Sequence, residues 1–139
     1  MASTAQELYR AALAMHDMTR LARPHIRPRG QEQAAVYLGY YFNLGFAVEL
    51  YLKAYIRDLT GEDVSKYGHN LDALLEAALA AGFHFQENAI SDIVRHIGHG
   101  HRSLIFRYAE GAQAFPEIYQ LDLVDQALQA CSDGMAHLR

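Results

Sequence analysis

The sequence predicts an all-α protein, a single-domain bundle of about five helices with a long second helix at its centre. Three observations predict it. Apolar residues recur at three- and four-residue spacing through most of the chain. The prolines and several glycines fall between these segments rather than inside them. The second segment carries apolar residues around most of its circumference, as a helix buried on several sides does. A chain of 139 residues is long enough for one domain with a proper core, so residues 1–139 are read as one unit.

The first helix is expected to begin near Ser3 as its cap, with Leu8, Ala12, Met15, Thr19 and Ala22 inward, and to stop before Pro24. Pro24, Pro28 and Gly30 mark a loop. The second helix spans about Glu32 to Leu59. One of its stripes is Tyr37, Tyr41, Leu44, Val48, Tyr51 and Tyr55; another is Leu38, Phe42, Gly45, Glu49, Leu52 and Ile56. An aromatic stripe at this spacing reads as core or subunit interface rather than a base-stacking surface. Gly39 and Gly45 are positions where another helix can come close.

After the polar loop of residues 60–69, Asn70 caps a third helix with Leu71, Leu74, Leu75, Ala78 and Leu79 on one face, ended by Gly82. A fourth runs from about Gln86 to Ile97, with Ile90, Val94 and Ile97 inward, and Gly98 and Gly100 are expected to break it. Ser103 to Tyr108 fits either a short extended stretch or a helical turn. The last helix spans about Asp122 to Leu138, with Leu123, Ala127, Ala130 and Met135 inward.

Composition narrows the function. Net charge is −4, so the chain is not a strongly basic nucleic-acid binder. Residues 1–30, the Arg-rich first helix and loop, carry five Arg against Glu7 and Asp17, a net +3, while the rest carries seven basic and fourteen acidic residues, a net −7. A polyanion would therefore approach a local patch. No apolar run is long enough for a membrane span, and the N-terminus lacks a signal-peptide pattern. Cys131 is the single cysteine, so no intrachain disulfide forms. A cytoplasmic protein with no membrane contact and no cofactor is expected.

The segment RHIGHGHRSLIFRY, Arg95 to Tyr108, concentrates three Arg, three His and two Gly. Imidazole moves protons near neutral pH and guanidinium clamps phosphate. Together they suit metal-independent RNA cleavage, in which His relays the proton of the attacking 2′-hydroxyl or of the leaving oxygen and Arg stabilises phosphate charge. Arg95 and His101 are the candidate catalytic pair, with His99 and Arg102 as alternates. On an unbroken helix of about 100° per residue, Arg95 and His101 stand roughly 120° apart, whereas Arg95 shares a face with His99 and with Arg102. A break at Gly98 and Gly100 would let the first pair converge. His96, His99 and His101 are close enough in sequence to suggest a zinc set, but no HExxH, Cys pair or nearby carboxylate completes it. Glu49 and Lys53, four apart in an apolar helix, suit an ion pair that fixes packing. His69 stands at a loop-to-helix junction, where it suits a local anchor.

Three patches in order resemble the HEPN (higher eukaryotes and prokaryotes nucleotide-binding) superfamily over about residues 36–138. In FAVELYLKAYI, Ala47, Glu49, Lys53 and Ala54 match A-x-E-x-x-x-K-A in a long core helix. HNLDALL, His69 to Leu75, is similar to the family's His-Asp/Asn-Leu helix opening. Arg107–Tyr108 is like its late Arg-Tyr pair. The resemblance implies a helical bundle that commonly dimerises. Many members are metal-independent ribonucleases of toxin–antitoxin, abortive-infection or other defence systems, with an R-x4-6-H motif that Arg95 and His101 match in spacing. Others are non-catalytic nucleotide-binding, RNA-binding or protein-interaction modules. Implied partners are a second copy, RNA or a nucleotide, and a cognate antitoxin or nucleotidyltransferase. Arg102, Arg107, Tyr108, Glu49, Lys53 and His69 are the expected substrate contacts.

Overall fold

A computed structural model of the protein describes residues 2–26, 34–102 and 120–139, with side chains in the second segment from 38 onward. The described residues form five α-helices and no strand: α1 (Ala5–Ala22), α2 (Ala34–Thr60), α3 (Leu71–Ala80), α4 (Glu87–Arg102) and α5 (Leu121–Gly134), with short 3-10 turns at Arg23–His25, Val64–Tyr67 and Ala136–Leu138. The all-α bundle expected from the sequence is the observed architecture. The reading of Ser103 to Tyr108, the loop assigned at Pro28 and Gly30, and the roles given to Arg107 and Tyr108 lie outside the described residues.

α2 is the central element. It packs against α1, α3, α4 and α5, most extensively along α1. Tyr40, Tyr41, Leu44, Tyr51, Leu52 and Ile56 are fully buried along it. Tyr40, Tyr41, Tyr51 and Tyr55 are therefore core, as expected of an aromatic stripe at helical spacing, while the side chain of Tyr37 lies outside the described residues.

Local sequence chemistry sets the ends. α1 is capped by Thr4, not Ser3. The Thr4 hydroxyl accepts from the Glu7 amide at 3.1 Å, and the Glu7 carboxylate accepts from the Thr4 amide at 3.0 Å. Ser3 has Gln6 and Thr4 has Glu7 three residues on, so both fit the box pattern, and the reciprocal bonds form at Thr4. Asn70 caps α3, its side-chain oxygen accepting from the Ala73 amide at 3.1 Å. Gly82, at φ 101°, closes α3: its amide bonds the Leu79 carbonyl at 3.0 Å and the Phe83 amide bonds the Ala78 carbonyl at 2.9 Å. That pair of bonds needs a left-handed residue, hence glycine.

α4 departs most from expectation. It passes through Gly98 and Gly100 without a break as far as Arg102, the last described residue of this segment. Its buried face, Ile90, Ile93, Val94, Ile97 and His101, keeps helical spacing across both glycines. A glycine costs a helix only about 1 kcal/mol, which packing of this face exceeds. Two inward assignments are also corrected. Leu79 and Leu123 are exposed, because each stands at the edge of its helix's buried arc.

α1 is tied across the bundle by polar groups inside the core. The Tyr9 hydroxyl donates to the Ser132 carbonyl of α5 at 2.6 Å. His16 is buried on α1, with Nδ1 2.7 Å from the Tyr51 hydroxyl of α2. At the end of α1, Arg23 bridges Asp122 and Asp125 of α5 at 2.9 and 3.2 Å. Burial, helped by the Arg20 charge, holds the His16 imidazole down at about 4 from its ordinary 6.5.

The unfolded chain binds a proton at His16 near pH 6.5 that the fold refuses until about pH 4. This contribution is complete above 6.5 and is lost as pH falls through that interval. Urea midpoints should decline from pH 6.5 to 4, and decline less in His16→Phe. Equal slopes in the two proteins would assign the acid lability to other groups.

Candidate functional site

A carboxylate cannot stay ionised in an apolar interior without partners. Glu49 sits on α2 among Val48, Tyr51 and Leu52 and is 2% exposed. Three cations or imidazoles converge on it. Lys53, one turn on, donates to Oε2 at 2.9 Å. His69, at the foot of α3, reaches Oε1 through Nδ1 at 2.9 Å. His101, near the end of α4, reaches the same Oε1 through Nε2 at 2.7 Å. Burial by itself pushes the Glu49 carboxyl up, but the hydrogen bonds from His101, Lys53 and His69 outweigh it and hold it at about 2.

Aromatic packing sets both rings. Phe46 stands edge-on to His69 at 5.4 Å and to His101 at 4.6 Å, and the two imidazoles are 5.7 Å apart. Gly45 makes room: a methyl there would overlap the His101 ring, whose Cγ would lie 2.9 Å away. Close approach of another element at Gly45 was expected, and it is this ring that approaches. The ion pair between Glu49 and Lys53 is formed as expected, and His69 anchors the junction through Glu49.

α4 separates the expected catalytic pair. Because the helix is unbroken, Arg95 and His101 lie on different faces. Arg95 is exposed and pairs with Asp92 at 2.9 Å, while His101 is 2% exposed and faces the core. Arg95, His99 and Arg102 instead fall on one exposed face, the alternate arrangement. His96, His99 and His101 do not form a shared ligand set. The ring of His96 is exposed, with Nδ1 2.7 Å from its own helix's Asp92 carbonyl. It borders a cleft of about 220 Å³ lined also by Ile93, Leu123 and Val124.

Among the described residues, the group able to offer three ligand atoms to one ion is Glu49, His69 and His101. Grouping His101 with Glu49 was missed by local spacing, since 52 residues separate them. The available signal was Glu49 itself, a carboxylate on an all-round apolar helix. Lone Cys131 is buried and burial pushes its thiol up to about 12, so it is chemically quiet.

Glu49→Gln should cost about 3 kcal/mol, since it leaves buried partners facing an uncharged amide. Wild-type stability should also fall as pH drops from about 4.5 toward 2, where the carboxylate is finally protonated. Gly45→Ala should cost about 1–3 kcal/mol through overpacking. Gly39→Ala, where a methyl meets nothing within 4 Å, should be neutral or stabilising by up to about 1 kcal/mol. Urea unfolding measures each. Equal effects at the two glycines would contradict the His101 packing.

No helix among the described residues is long and apolar enough to cross a membrane. Compared with protein-family models, curated proteins and solved structures, the chain matches none.

Proposed function

We propose that this chain is a HEPN-like RNA-binding domain whose phosphate contacts are Arg95, His99 and Arg102 on the outer face of α4. The observation that carries the reading is the division of α4 into two faces. Its buried face ends in His101, locked to Glu49, and its opposite side presents basic groups at i, i+4 and i+7. Residues so spaced are neighbours along one helical ridge. The exposed pair between Arg95 and Asp92 is weak in water and yields to a phosphate that takes both guanidinium donors.

A second reading, a metal-independent endoribonuclease of a toxin–antitoxin or defence system, is favoured by one feature of the same strip. His99 stands one turn from Arg95, so an imidazole and a guanidinium lie on the same exposed side of α4. In this reading His99 moves the proton and Arg95 or Arg102 steadies the phosphate. His101, buried and committed to Glu49, positions the helix. The half-buried Phe42, Phe46 and Leu50 on one side of α2 suit a homodimer, which would set two strips in one assembly. A cognate antitoxin or nucleotidyltransferase is the partner class that the family resemblance supplies.

Fluorescence anisotropy with a labelled single-stranded RNA tests the binding reading. Arg95→Ala and Arg102→Ala should each weaken binding several-fold and lower the salt slope by about 1. Affinity unchanged in the double variant would remove the strip. Incubation with RNA in EDTA separates the two readings: cleavage lost in His99→Ala supports the nuclease, and bound but intact RNA supports the binding module. Light scattering at micromolar concentration should give the mass of a dimer.

A further inference from the structure

We propose that Glu49, His69 and His101 form a zinc site with three protein ligands and an open fourth position. Glu49 Oε1 lies 2.9 Å from His69 Nδ1 and 2.7 Å from His101 Nε2, and the three ligand atoms all fall within 4.8 Å of one another. Tetrahedral zinc with bonds of about 2.0–2.1 Å needs ligand atoms about 3.3 Å apart. The two short edges therefore have to open by about 0.5 Å. His69, 39% exposed at the end of a loop, is free to open its own edge, whereas the Glu49–His101 edge opens by a small shift of two buried side chains.

The donor set selects the metal. Two imidazole nitrogens and one carboxylate oxygen suit zinc and its neighbours in the first transition row. Calcium and magnesium prefer oxygen. In the metal-free protein each ring donates an N–H to Oε1. Moving that proton to the ring's other nitrogen leaves a lone pair for the metal, with no proton gained or lost.

The surroundings are those of a built site. Three separate elements supply the ligands: α2, the foot of α3, and α4. Gly45 and Phe46 fix the His101 ring, and Phe46 also fixes His69. Lys53 holds the second carboxylate oxygen, the outer contact that orients a ligating carboxylate. Its positive charge opposes a dication, which weakens metal binding and favours an anionic or hydroxide fourth ligand. The partly exposed side of His69 is the way in.

Untagged protein stripped with chelator and titrated with Zn²⁺ by calorimetry tests the site in the absence of RNA, so its result is independent of the RNA reading. One zinc per chain, a raised Tm and a four- or five-coordinate visible spectrum with Co²⁺ are expected. His69→Ala should abolish stoichiometric uptake while retaining the fold, because His69 is the least buried ligand. Glu49→Gln serves as a second variant if that protein does not fold. His96→Ala, an exposed histidine on the same helix as His101, should bind as wild type does. No uptake by wild type, or uptake equal in wild type and His69→Ala, overturns the proposal, as does a comparable loss in His96→Ala.

Discussion

One buried negative charge organises this protein. The Glu49 carboxylate is placed on the most buried helix, so it has to be matched from several directions at once. Lys53 supplies a local counter-charge, His69 ties the foot of α3, and His101 ties the end of α4. Apolar packing alone lets helices slide at modest cost, whereas a buried charge with directional bonds tolerates little displacement. The cluster thus fixes register where hydrophobic contact fixes only proximity. The face that α4 turns to solvent follows from that register.

The same logic explains how far the sequence could be read. Helices α1, α2, α3 and α5 followed from periodicity and caps, because their signals are local: Asn70 beside its own helix, Pro24 just past α1. The Glu49–Lys53 pair was legible for the same reason, being one turn apart. The continuity of α4 was not, because two glycines give a local signal against helix and its answer comes from distant packing of Ile97 and His101. The divergence of Arg95 and His101 then follows from helical geometry. The choice between Ser3 and Thr4 was not legible, because Gln6 and Glu7 give both hydroxyls the same capping pattern.

Burial of His101 was illegible for a different reason. Nothing in its neighbourhood of His, Arg and Gly marks it as a core residue, and the space it fills is made by Gly45 on another helix. A histidine-rich stretch looks uniformly exposed and reactive. In the fold it divides, one imidazole serving the interior and others facing water. His16 gives the same lesson: a polar residue among apolar neighbours that is inside because Tyr51 meets it.

The spacing of the three Glu49 contacts also orders how they can be assembled. They close loops of 4, 20 and 52 residues. Chain-closure entropy rises with that length, so the Lys53 contact is cheapest to form and the His101 contact dearest. The contact that costs the chain most entropy is also the one that ties the most distant helix, so the shortest of the three bonds closes the longest loop.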